Sequence, residues 1–226
     1  MSRTTAGAVG SPETYRVIED VWSRSSFATV RRHVRKANQK GITVHEGHAE
    51  RELAEFYGLH LKTTKKHGMP AQTYRYFQNF WQLLPRDCDV RLLLARRDGR
   101  AVAASLFVGF GDCVQYVYGA SEPSALPLGA NYLVIWEAIR LACARGYRRF
   151  TLGKTSRENQ GLLRFKRWWG ADEIPLTYYY HPAVDGTTSS AYTERSLKYH
   201  IVTGLWRALP APVTDRVGGL LYGHLA

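Results

Sequence analysis

A chain of 226 residues, 45% hydrophobic, 22% charged and 12% aromatic, has the composition of an ordinary soluble globular protein with room for one good-sized core. Its 31 Lys and Arg against 19 Asp and Glu give a net charge of +12, which predicts anionic partners such as nucleic acid, a nucleotide or an acidic membrane face, a generally basic protein being the plainer alternative. Three widely spaced cysteines, Cys88, Cys113 and Cys143, argue against a disulfide framework and a structural zinc site; with no apolar leader and no run of about 18 apolar residues, they point to the cytoplasm and to no metal.

The first predicted element is a helix opened by Ser11-Pro12-Glu13 and running through Trp22, since Ser, Pro and an early acid are the ordinary start signals. Residues 26–40 carry Phe27, Val30 and Val34 at helical spacing and stop at Gly41. The short alternating stretch 42–47 reads as a strand. A long amphipathic helix follows, with Leu53, Phe56, Tyr57, His60 and Leu61 on its apolar side, closed by basic residues, Gly68 and Pro70. Residues 72–84 form another helix. Strands at 90–97 and 100–110 flank Asp98-Gly99, a strong hairpin signal, and Gly111-Asp112 turns into a third strand at 113–121. Then come a helix over 129–146, a strand at 148–154, a helix at 158–169 and a strand at 174–180.

Residues 181–190 are polar and turn-rich. Two helical stretches, 191–208 and 212–225, close the chain, the last apolar enough to dock on the core or, alternatively, on a membrane surface. The expected divisions are N-terminal helices over 1–41, a catalytic domain over 42–181 and a helical tail over 182–226. From residue 42 the order is β-α-α-β-β-β-α-β-α-β. Three strands joined by tight turns make an antiparallel meander, and the αβ unit after them adds a parallel neighbour. The fold class is therefore mixed α/β, a mixed sheet with helices on both faces.

Residues 161–170, GLLRFKRWWG, set one cation apart. On a helix, Leu162, Phe165 and Trp169 form an apolar stripe, and Lys166 falls inside its edge while Arg164 and Arg167 point away. A snorkelling lysine is the plain reading. In the basic run of residues 31–40, Arg31, Arg35 and Lys36 can converge on one phosphate, although most such runs are solvated helix faces.

The element order is that of the GNAT acyltransferase fold. Four stretches, 30–44, 56–70, 116–139 and 147–176, resemble the FemAB-type branch of that superfamily, the peptidoglycan aminoacyltransferases and their BioF2-like acetyltransferase relatives, including relatives found beside exopolysaccharide and protein-sorting loci. The resemblance implies an N-acyltransferase moving an acyl or aminoacyl group from acyl-CoA or aminoacyl-tRNA, used as co-substrate rather than bound cofactor, to an amine in cell-envelope or exopolysaccharide synthesis. It implies donor phosphate at Leu128, Gly129, Ala130 and Asn131, where a helix N-terminus offers backbone N–H groups. This loop departs from the two-glycine coenzyme A signature of that superfamily, having one glycine. The resemblance also turns Lys166 towards the reaction site, with Phe165 and Trp169 as walls, Tyr118 as a further substrate contact, and Arg31, Arg35 and Lys36 lining the substrate cleft.

Fem-type enzymes have two GNAT halves and this chain has room for one, so the cleft between halves is absent or completed by a second copy in a homodimer. Work at the inner face of the cytoplasmic membrane fits the implied pathway. The rival is a non-catalytic module, a degenerate half that binds RNA, anionic lipid or a partner subunit.

Overall fold

Leu92-Leu93-Leu94-Ala95 offers no polar residue to either side of a strand, and such a run needs cover on both faces. The computed structural model supplies it. Described are residues 12–17, as strand backbone, and residues 27–177. The elements are β1 Pro12–Val17, α1 Ala28–Gln39, β2 Thr43–Gly47, α2 Glu50–His67, α3 Tyr74–Leu83, β3 Asp89–Arg97, β4 Arg100–Phe110, β5 Cys113–Ser121, α4 Ala130–Ala144, β6 Arg149–Lys154, α5 Gln160–Trp168 and β7 Asp172–Pro175. The seven strands form one sheet in the order β2-β3-β4-β5-β6-β1-β7. Among the described strands only β5 and β6 pair in parallel; the other neighbours are antiparallel.

Alternate residues of the central strands enter two cores. Leu93, Ala95, Ala103 and Phe107 face α1, α4 and Trp169, whereas Leu92, Leu94, Ala104 and Leu106 face α2 and α3. The mixed sheet covered on both faces is therefore as the sequence predicts, and β5–α4–β6 is the parallel unit. At the Asp98-Gly99 hairpin both residues take positive φ, 51° and 77°, the backbone that a two-residue turn between twisted strands requires. Helix α1, grouped by sequence with an N-terminal segment, gives Phe27, Val30, Val34 and Ala37 to the first core.

One predicted element is wrong in kind. Residues 12–17 form a strand, not the start of a helix, with Tyr15 opposite Thr151 of β6 on one side and Asp172 of β7 on the other. A helix cap contributes about 1 kcal/mol, whereas this segment closes two ladders at once with Thr14, Tyr15 and Val17, residue types that suit strands. Strand β7 also begins earlier than predicted, at Asp172. Residues 18–26 and everything from 178 onward, including the polar connection, the two C-terminal helical stretches and their membrane contact, lie outside the described residues. Among the described residues no helix is long and apolar enough to cross a membrane.

The start of α4 is fixed by close backbone approach. Gly129 has φ +83°, and a Cβ there would lie 2.6 Å from the His33 carbonyl oxygen of α1. Gly129→Ala combines left-handed strain with a backbone clash and is expected to cost about 2–4 kcal/mol. Gly41→Ala, at φ +71° with nothing within 4 Å, isolates the strain at about 1–2 kcal/mol. Urea unfolding of both variants measures the difference.

Candidate active site

Strands β5 and β6 pair over three residues each, Cys113–Gln115 with Arg149–Thr151, and then part. Both strands carry an extra residue just there. Leu106 and Phe107 are adjacent on β4 but face Tyr118 and Tyr116, so Val117 is a bulge in β5. Likewise Glu13 and Tyr15 of β1 face Lys154 and Thr151, which leaves one residue too many at Leu152-Gly153 of β6. Gly153 has φ +70°, and its N–H turns back to donate to Thr151 Oγ1 at 3.1 Å.

The gap is a slot of about 540 Å³ that reaches both layers of helix. On one side it is walled by Asn131, Ile135, Leu152, Leu162, Phe165 and Lys166 from α4, β6 and α5. On the other it meets His60, Thr63, Lys66 and His67 of α2 and the loop through Gln72. Thr63 fastens α2 to the end of β5 by accepting from Ser121 N at 3.0 Å.

Helix α5 starts at Asn159, whose side chain accepts from Leu162 N at 3.1 Å. This sets the helical phase so that Leu163 and Lys166 are buried and Arg164 and Arg167 are exposed. Lys166 is 3% exposed. Its Nζ donates to the Gly153 carbonyl and, at 3.2 Å, to the Lys154 carbonyl. The cation does not snorkel. It is held at the floor of the slot by two carbonyls at the β6 bulge.

The β5 bulge sends two tyrosines to opposite faces. Tyr116 packs at a tilt against Phe107 in the first core, and burial pushes its phenol up. Tyr118 packs on Phe77 and His60, and its hydroxyl meets that of Tyr76 at 3.0 Å. His60 is 4% exposed, with Nε2 2.9 Å from Gln72 Oε1. With Nε2–H as donor, Nδ1 is the unprotonated nitrogen, and it has no hydrogen-bond partner. Burial pushes the imidazole down to about 4, partly opposed by Gln72, so the ring is neutral at pH 7.

The other residues singled out by sequence divide. Asn131 lines the slot, and its Nδ2 donates to Ser121 Oγ at 3.4 Å. Gly129 backs onto α1, Ala130 is buried and Leu128 packs into the first core. Phe165 lines the slot, but Trp169 lies beneath it in the core, edge-on to Phe27 at 5.7 Å. Arg31, Arg35 and Lys36 stand on α1 and line none of it. Sequence reading missed the two bulges, for which Gly153 before a lysine is the faint local sign. It also missed the Lys62–Glu122 ion pair that joins α2 to the turn after β5.

This slot between diverging parallel strands can be compared with known proteins. Residues 24–167 match the family described as acetyltransferase (GNAT) domain. The chain belongs to the GNAT family. Over 88 residues this GNAT chain is 25% identical to UDP-N-acetylmuramoylpentapeptide-lysine N(6)-alanyltransferase of Weissella viridescens, covering 39% of this chain and 26% of that protein. It superposes on FemX with a TM-score of 0.65 at 18% identity, over 73% of this chain and 59% of that one. For L-PGS from Bacillus licheniformis the TM-score is 0.55 at 14% identity, over 73% and 58%. The sequence match bears out the FemAB-type resemblance; the two structures show the shared fold. This GNAT chain spans less than two thirds of the length of each of these relatives.

His60 gives a pH prediction. Its folded value, about 4, lies below the ordinary 6.5, so between these values the unfolded chain binds the extra proton and stability rises with pH. Unfolding free energy is expected to fall by about 3 kcal/mol at most as pH drops through that window. In His60→Gln that component should vanish, as urea titrations at stepped pH will show.

Proposed function

We propose that this chain transfers an acyl group from a phosphate-bearing donor to an amine, with the slot between β5 and β6 as the place of reaction. The observation that carries the reading is the buried Lys166 ammonium at the floor of the slot. An amine attacking an ester or thioester carbonyl forms a C–N bond while the C=O electrons move to oxygen. A fixed cation beside the apolar wall of Phe165 and Leu152 stabilises that oxyanion without having to reorganise. Collapse restores the carbonyl and expels the carrier's thiolate or alkoxide, and the amine proton leaves to solvent.

The slot meets helices of both layers. The donor carrier lies on the α4–α5 side, where Asn131 and the first turn of α4 meet the slot, and the acceptor approaches past Tyr118 and α2. Acyl-CoA is the donor this family uses, and aminoacyl-tRNA is the alternative donor that the FemAB-type resemblance implies. That relative acts on the lysine amine of a peptidoglycan precursor, so an envelope-precursor amine is the proposed acceptor. The exposed cations Arg35 and Lys36, with Arg31 on the same helix, lie outside the slot. They favour contact with a large polyanionic carrier over contact with the reacting atoms.

Lys166→Met is expected to lower kcat by about 100- to 1,000-fold, the loss typical of removing one oxyanion-stabilising group, with donor Kd changed less than threefold. The same change leaves two carbonyls without their donor and should cost about 1–3 kcal/mol of stability, readable by urea unfolding. Full activity in Lys166→Met would end the catalytic assignment. Saturable thermal stabilisation by acyl-CoA or by charged tRNA, each with label transfer to a lysine-bearing envelope precursor, distinguishes the donors.

A further inference from the structure

Single apolar side chains on a surface need no explanation. Among the described residues seven large ones stand exposed, and three of these, Met69 at 44%, Leu126 at 39% and Leu162 at 38%, line the same slot. They come from the loop after α2, the turn before α4 and the first turn of α5. The wall continues inward from them through Pro70, Phe165, Ile135 and Leu152. Convergence of exposed apolar groups from three distant parts of the chain marks a contact made by something apolar.

Charge narrows what that is. The titratable lining groups are His60, Lys66, His67, Lys166 and two tyrosines, and no Asp or Glu is among the lining residues described. The exposed Lys66 stands near Met69 in the lining, so apolar carbon and positive charge are neighbours there. An acetyl group would fill little of a volume of about 540 Å³, which lies within the roughly 300–1,000 Å³ of sites for drug-sized ligands.

Building on the acyl-transfer reading, we propose that the transferred group is a medium or long apolar acyl chain. The chain lies along Met69, Leu126 and Leu162, and its anionic carrier is drawn to the cationic lining. Each methylene removed from water adds up to about fourfold in affinity.

The test is calorimetric binding of the full chain to coenzyme A and to its acetyl, octanoyl and dodecanoyl thioesters, all below their micelle concentrations. Coenzyme A and the acetyl thioester should bind within threefold of each other, and the octanoyl thioester at least tenfold more tightly. The M69S/L126S variant, with its fold checked by circular dichroism, should keep acetyl-thioester affinity and lose most of the chain-length gain. A flat series overturns the proposal while leaving acyl transfer standing, because coenzyme A still binds. So does a gain that survives undiminished in the double variant, or a flat series accompanied by tight binding of dodecanoyl lysophosphatidylglycerol. If no thioester binds, this proposal fails, and so does the assignment of coenzyme A as donor carrier.

Discussion

The architecture around the candidate site depends on one constraint: two parallel strands stay paired only while they advance in step. Val117 puts β5 out of step with β4, and the extra residue at Leu152-Gly153 puts β6 out of step with β1. After Gln115 and Thr151 the two strands no longer share a register. A sheet opened in its middle would expose backbone N–H and C=O groups. Here side chains answer them: Thr151 takes the Gly153 N–H, Thr63 takes the Ser121 N–H, and Lys166 takes two carbonyls.

That last pairing links fold to chemistry. Burying a lone ammonium is costly unless its hydrogen bonds are replaced. Successive carbonyls of a strand turn to its two neighbours alternately, and past Thr151 β6 has lost β5 on one side. The Gly153 and Lys154 carbonyls accept from Nζ, Lys166 is 3% exposed, and the cation lies at the gap where the two strands part. The β5 bulge acts on side chains. Residues two apart on a regular strand share a face, yet Tyr116 enters one core and Tyr118 packs among the aromatic residues of the other.

Much of this was legible because its causes are local. The Asp-Gly hairpin, the strand buried on both faces and the amphipathic helices each carry their signal within a few residues. The inward turn of Lys166 followed from helical spacing, and the protein bears it out. What lay beyond reach was non-local. The cap signal at Ser11-Pro12-Glu13 was overridden by two ladders supplied by residues more than a hundred positions away. Spacing showed that Arg31, Arg35 and Lys36 share a stretch of helix, but not which neighbour that helix would meet. The packing of Val30, Val34 and Ala37 into the first core turned the cations away from the slot. Trp169 was similarly ambiguous, since an aromatic ring at helical spacing serves a core as readily as a cleft wall.

The slot's charge bears on how an amine could react there. A primary amine in water at pH 7 is largely an ammonium ion, which cannot attack. Carboxylates would draw that ion in and stabilise its charged form. Lys66 and Lys166, with no carboxylate among the described lining residues, do the reverse. A like charge lowers the pKa of an entering amine, so the neutral nucleophilic form becomes easier to reach beside Lys166 than in water. His60, neutral because it is buried, adds no opposing charge. On the acyl-transfer reading, the cation proposed to stabilise the oxyanion therefore also favours the neutral form of the attacking amine, and the proton that amine sheds after attack leaves to solvent.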